Sequence, residues 1–387
     1  MVNLRRLKTC SSFASAALCF CATSLTTCSS GPLKLKADAA GEGGSVSDSG
    51  LLSDGSVGDR PIDDGLNAAG GAGGASLDTP GAELPGTGGM GSCNVSEFAT
   101  RGLPTVIATG PDGNLWFTDG ESGIGRITPS GTITDFPLLS TTSYPPTGLT
   151  AGPDGNMWFG ERLGKIGHIS STGAVVEISI SSHPINEPGA MALGSDGNVW
   201  FADNDSVDGR IISRATPLGE ITEFPISVRA TVGAIAPGPD KNLWFTTGNY
   251  IVRITTKGDA TEFPVPTANS LPGDITAGTD GNLWFTEMNA DQIGRITPSG
   301  VIKEFRIPDP NPTALGIGPT AITVGPDGNL WFTEHYRAAI GRITPEGSFT
   351  ECSLPASDTN IDSITLGPDG NLWFTNEVAG KIGRLTP

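Results

Sequence analysis

The chain has 387 residues, with 55 Gly and 30 Pro and only 17% charged and 6% aromatic side chains, a composition that points to many turns or a low-complexity segment. Lys and Arg number 23 against 41 Asp and Glu, a net charge of −18, which argues against nucleic acid and against adsorption to anionic membranes. Three His and six Cys exclude a Cys/His-rich metal scaffold.

Residues 1–28 read as an export signal. Arg5, Arg6 and Lys8 form a positive head, and residues 13–25 are moderately apolar, too short and too polar for a permanent membrane helix. Leu25-Thr26-Thr27-Cys28 looks like a lipobox, with lipidation at Cys28; Thr27 stands where Gly, Ala or Ser is usual, and plain secretion is the alternative. Cys10, Cys19 and Cys21 would leave with the signal. Cys93 and Cys352 remain, a pair in an oxidising compartment or two buried thiols. Residues 29–92 hold 17 Gly, nine acids and no Phe, Trp or Tyr. So little apolar area cannot offset chain entropy, and the segment reads as a disordered tether.

Residues 93–387 repeat seven times. Trp116, Trp158, Trp200, Trp244, Trp284, Trp331 and Trp373 are spaced 42, 42, 44, 40, 47 and 42 residues apart, each followed by Phe, with Asp four residues before and Asn two before. The fullest copy, residues 325–351, reads GPDGNLWFTEHYRAAIGRITPEGSFTE. Within a repeat, runs of four to six alternating residues are separated by Asp-Gly and Thr-Gly turns, which predicts a four-stranded antiparallel meander without helix. Seven such sheets bury both faces only if packed radially, so the fold expected is an all-β, seven-bladed propeller. The last repeat lacks its fourth strand, and residues 94–99 look like an orphan copy of it. The N-terminal strand should therefore close blade seven, which places Cys93 and Cys352 in adjacent blades.

On the face opposite the Asp-Gly turns, five of seven residues at the end of the second strand are acids: Asp119, Glu161, Asp203, Glu287 and Glu334. A ring of hard oxygen ligands suits Mg²⁺ or Ca²⁺. The competing reading is local pairing with the third-strand residues Arg126, Arg214, Arg253, Arg295, Arg342 and Arg384. His168 fills that arginine slot in blade two and reads as structural. His183 has Glu187 four residues on, and Glu334-His335-Tyr336 is the most reactive-looking local cluster; these read as exposed loop residues, and the alternative is general acid–base or ligand contact by His335, Glu334, His183 and Glu187.

The motif GPDGNLWFTE followed by IGRITP, in seven copies over residues 94–387, resembles the virginiamycin B lyase (streptogramin lyase) family. The resemblance implies a seven-bladed propeller whose upper face opens a cyclic depsipeptide by Mg²⁺-dependent elimination at an ester. It also implies catalytic histidines immediately after the Pro that starts the first strand, one of them in a Glu-Pro-His triplet. Those slots are read here as Thr105, Thr147, Gly189, Val232, Gly273, Thr320 and Asp362, none of them His; only Glu187-Pro188-Gly189 keeps the Glu-Pro. The chain is accordingly expected to be a monomeric, exported binding propeller, an outer-membrane or periplasm-facing lipoprotein or a secreted protein. It would touch the membrane only through its anchor and take a small ligand, glycan or peptide on its upper face. The alternatives are an Mg²⁺-dependent carbon–oxygen lyase or hydrolase with relocated residues, and an envelope scaffold that binds another protein.

Overall fold

The computed structural model describes residues 91–120, 123–138, 145–180, 188–204, 211–227, 230–309, 316–355 and 360–387. The signal, Cys28 and nearly all of the tether lie outside them, as do His183 and Glu187.

Seven antiparallel sheets follow one another along the chain. Blade five shows the pattern: Pro272–Ala277, Leu283–Glu287, Gln292–Ile296 and Ile302–Arg306 pair in sequence order. The first strands of successive blades neighbour one another around a central channel. Helix among the described residues is limited to one 3-10 turn, Met288–Ala290.

The ring closes as the orphan strand predicts. Asn94–Ala99 pairs antiparallel with Lys381–Thr386, from Asn94 opposite Thr386 to Ala99 opposite Lys381. The residues just before it depart from the expectation. Gly91–Ser92 pairs in parallel with Phe349–Ser353, so blade six has five strands and the folded part begins at least two residues before Cys93. The cause is local: a disulfide joins Cys93 to Cys352, with Cα atoms 5.3 Å apart, and pins the incoming chain to the outer edge of blade six. Cys352 stands opposite Ile340, where blade five has Phe305 opposite Ile293.

Burial follows from the repeat. Each second strand is buried along its whole length, and side chains alternate between the two neighbouring blades. Trp284 packs on Leu330 and Phe332 of blade six. Trp373 packs on Leu115 and Phe117 of blade one, which carries the same contact across the seam. The Gly of the IGR motif has a steric origin, since a Cβ on Gly294 would come within 2.1 Å of the Phe285 ring.

The first strand carries a bulge. Pro272 faces Glu287 but Ile275 faces Phe285, so Gly273 and Asp274 together oppose Thr286. The Thr286 hydroxyl fills the gap, accepting from Asp274 N–H at 3.0 Å and donating to Thr320 C=O of the next blade at 2.9 Å. Thr246 and Thr375 link blades four to five and seven to one in the same way.

Candidate functional site

The second-strand acids do not meet the arginines. The strand register sets Arg295 opposite Trp284, three residues before Glu287 and close to the lower turns. There the guanidinium lies over Trp284 and Phe305 and pairs with the turn acid Asp280 at 3.7 Å. Arg126, Arg214 and Arg342 reach Asp112, Asp196 and Asp327 likewise. His168 takes the same place, stacked on Trp158 with ring centroids 5.0 Å apart and Nδ1 3.6 Å from Asp154. The expected pairing of upper carboxylates with these side chains is thus corrected. Residues on one strand rise about 3.3 Å each, so three positions separate the two ends by about 10 Å.

The acids are instead drawn into the blade junctions. Asp119, Glu161, Asp203, Glu287 and Glu334 are all buried. Asp119 packs so closely on Gly102 that a Cβ there would fall 1.7 Å from its Oδ1. Among the described residues neither carboxylate oxygen of Glu161 or Glu334 has a hydrogen-bond partner. Burial pushes Glu287 up to about 7; the Ser270 hydroxyl opposes the shift and the Glu304 carboxylate adds to it. Burial pushes Glu334 up to about 8, with Glu351, Asp309 and Asp291 adding to the rise and Arg337 opposing it. Glu161 is raised by burial and by Glu177, against Lys165. Among the described residues no three His, Cys, Asp or Glu side chains come together as ligands. Glu287 and Glu334 each sit in a separate junction, the first beside Ser270 and Glu304, the second beside Glu351, Asp309, Asp291 and Arg337.

His335 and Glu334 are adjacent in sequence but part company. Glu334 faces acids and Arg337 from blades five and six. His335 turns toward blade seven, where its Nδ1 lies 3.1 Å from Oδ1 of Asp362. A carboxylate only accepts, so in this contact Nδ1 is the donor. Both side chains are largely enclosed, 16% and 9% exposed. The His335 backbone is held on both sides, its N–H donating to Gly318 C=O at 3.0 Å and its C=O accepting from Asn360 N–H at 3.3 Å. Gly318 is itself anchored, since Asp291 Oδ1 accepts from the N–H groups of Ile317 and Gly318 at 2.8 and 3.0 Å. Gly318 has φ +64, and a Cβ there would strike the Tyr336 ring at 2.5 Å. Tyr336 meets the imidazole edge-on, with centroids 5.0 Å apart.

Asp362 occupies the slot after the first residue of the blade-seven first strand, Ile361–Leu366. The register also corrects one slot: Val232 faces Thr247 as Pro272 faces Glu287, so the blade-four residue equivalent to Gly273 is Gly233, not Val232. Sequence reasoning saw His335 and saw Asp362, but not that they meet. They are 27 residues apart in different blades, and the only available signal was an acid in a slot that otherwise holds Thr, Gly or, at 232, a residue one place out of register.

The profile of the virginiamycin B lyase family matches residues 100–317 and 310–387. No curated protein matches the chain. Among solved structures, a streptogramin B lyase is 34% identical, covering 76% of this chain and 97% of its own, with a TM-score of 0.68. A catalytically inactive His-to-Ala variant of virginiamycin B lyase from Staphylococcus aureus, solved with quinupristin, is 35% identical over 76% of this chain and 99% of its own, with a TM-score of 0.69. The WD40 propeller of Doa1, 10% identical over 75% of this chain and 95% of its own at a TM-score of 0.61, shares the fold alone. With seven blades, their closure and the whole repeat matched, the chain belongs to the virginiamycin B lyase family.

Proposed function

We propose that this protein is an exported, lipid-tethered propeller whose upper face binds a cyclic peptide or depsipeptide. The observation that carries the reading is the set of slots around the upper end of the channel. They hold Thr105, Thr147, Gly189, Gly233, Gly273 and Thr320, small side chains that leave room for a ligand, with Asp362 alone charged. The relative solved with quinupristin supplies the ligand class. Export is supported by the Arg5, Arg6 and Lys8 head and by the Cys28 box, and the Cys93–Cys352 disulfide fits an oxidising compartment.

Titration calorimetry of the full chain with quinupristin tests the binding reading. Saturable binding is expected, abolished by Gly273→Trp, which fills one slot with an indole. Absence of binding to quinupristin and to other cyclic peptides would reject it. Cys28→Ser should move the protein from the membrane to the soluble fraction; an unchanged distribution would reject the lipid anchor. The His335–Asp362 pair favours a second reading, in which the same face also reacts with what it binds.

A further inference from the structure

We infer that the lower rim between blades two and three is a docking point for an arginine side chain of a partner protein, seated against His168 and Pro217 with an apolar neighbour resting on Leu218. The chain supplies its own template. In blades one, three, four, five and seven the third-strand arginine lies over the repeat Trp and the fourth-strand Phe, 5.4–5.9 Å from their centroids. Its Nη1 crosses to the next blade and donates to a carbonyl in the turn between the third and fourth strands. Ser171, Thr256, Pro298, Pro345 and Pro129 accept at 2.7–3.1 Å. Each such seat joins two blades through one guanidinium.

Blade two breaks the pattern at both places. His168 replaces the arginine and Ile178 replaces the Phe. The imidazole keeps the inner half of the seat, stacked on Trp158 and 3.6 Å from Asp154. It is shorter than a guanidinium arm, and among the described residues no donor reaches Pro217 C=O, the blade-three counterpart of Pro298 C=O. Packing loosens at the same place: a Cβ on Gly219 would lie 3.2 Å from Ile178, against 2.0–2.6 Å from the Phe at the five corresponding junctions. Asp154 has no ion-pair partner but His168 among the described residues. Beside it Leu218 is 89% exposed, more than any other large apolar side chain described. An acceptor carbonyl, a carboxylate without an arginine and a bare leucine together match a planar cation with an apolar residue next to it. A protein segment brings both, whereas a small cation would leave Leu218 in water. The net charge of −18 attracts a basic partner, and arginine is a frequent anchor at the centre of protein interfaces. This face lies opposite the slots, so the inference stands apart from the binding reading above.

The test titrates the full-length protein with a short peptide carrying one arginine next to one leucine and follows the seven indole N–H signals by NMR, with Trp158→Phe to assign the one concerned. A saturable shift of Trp158 with the other six unmoved is expected, weakening with added salt. Citrulline in place of the peptide's arginine keeps the shape without the charge and should weaken binding about tenfold or more. Leu218→Ser should weaken it about fivefold. His168→Arg fills the seat from within. It should abolish the shift and, by tying blade two to Pro217, raise the melting temperature. No response at Trp158, equal affinity for the citrulline peptide, equal movement of all seven indoles or undiminished binding to His168→Arg would each overturn the inference. A lower melting temperature of His168→Arg would do so too, since a guanidinium would then not fit the seat. N-acetylarginine amide binding as tightly as the peptide would assign the place to a small cation, and a dimer seen by sedimentation and lost in His168→Arg would assign it to a second copy of this chain. Either outcome removes the separate protein partner.

Discussion

On the lower rim, all seven blades seat the indole Nε1 of the repeat Trp on the turn Asp at 2.9–3.2 Å, and the Asn two residues after that Asp bonds the same carboxylate. On the upper rim the same second strands end in Asp119, Glu161, Asp203, Thr247, Glu287, Glu334 and Asn376, and the junctions around them differ. The two ends of one strand therefore obey different rules. Where a residue answers only to its own turn and its own Trp, repetition preserves it. Where it faces the neighbouring blade's loops, each junction is free to differ, and a site can arise in one. The charges follow the same division. Burial tends to raise the turn acids, but hydrogen bonds from Trp and Asn outweigh it and hold Asp280 and its six counterparts low. The upper acids Glu161 and Glu334, which lack such donors, are pushed up, and at Glu287 the single Ser270 hydroxyl does not outweigh burial.

The largest way to break the equivalence of the blades is to open the seam. Only there does a covalent bond join two blades among the described residues, and it closes a loop of 259 residues. Chain-entropy reasoning assigns such a cross-link about 5 kcal/mol. Guanidinium unfolding of Cys352→Ser, or of the reduced protein, should show a loss of that order. An unchanged midpoint would mean that the Asn94–Ala99 strand and the Trp373 contacts close the ring unaided.

The next effect has the opposite sign on the two rims. The folded-state pKa of Glu334, about 8, lies above its usual 4.5, as does that of Glu287 at about 7. Their favourable contribution is present below pH 4.5 and is lost as the pH rises through 7 and 8. The turn acids are lowered, so their contribution is present above pH 3.8 and is lost as the pH falls below it. Glu334→Gln should therefore stabilise at pH 8, by on the order of several kcal/mol at most, and change little at pH 5. Glu287→Gln should do the same to a smaller extent. Melting temperatures at the two pH values check this; a Glu334→Gln variant less stable at pH 8 would show a charged, satisfied carboxylate.

Asp280→Ala probes the lower rim. It strips the acceptor from Trp284, whose side chain is fully buried, and an unpaired buried N–H costs about 1–3 kcal/mol. The same substitution at Asp112 or Asp369 should cost about as much, because their geometry is the same. Quinupristin binding should not change in any of the three. A spread much wider than ~1 kcal/mol among them, or a loss of binding, would contradict the uniformity of this rim.

The fold was legible in the sequence because its signals are local and repeated. Trp, Asp, Asn and Gly recur at fixed offsets, and each offset maps to one turn or one strand, so the count of blades and the closing strand could be read without coordinates. The site was legible only in part. His335 stood out as a histidine in a varied loop. Its partner Asp362 belongs to another blade, and the pairing depends on how the loop at Gly318 folds back, which no short-range pattern encodes. The arginines were misassigned to the upper acids for a related reason. Opposite charges recur on adjacent strands, but the antiparallel register, not the charge, decides which ends meet.

The smallest predicted effect concerns the inner clasp. Thr286 accepts from Asp274 N–H and donates to Thr320 C=O, and Thr286→Val keeps the shape while removing both bonds. Asp274 and Thr320 are only half-buried, so channel water can replace part of what is lost, and a cost of about 1 kcal/mol is expected. Blades two and three do without this hydroxyl. Ala202 stands in its place in blade three, and in blade two Gly160 does, with the Thr147 hydroxyl donating instead to Pro188 C=O of the next blade. The substitutions available there differ accordingly. Gly160→Ala would put a Cβ 2.4 Å from that same carbonyl oxygen and should destabilise by more than Thr286→Val. Thermal melts of the two variants decide the point: if Gly160→Ala proved neutral, the close approach of blades two and three would not depend on the missing side chain.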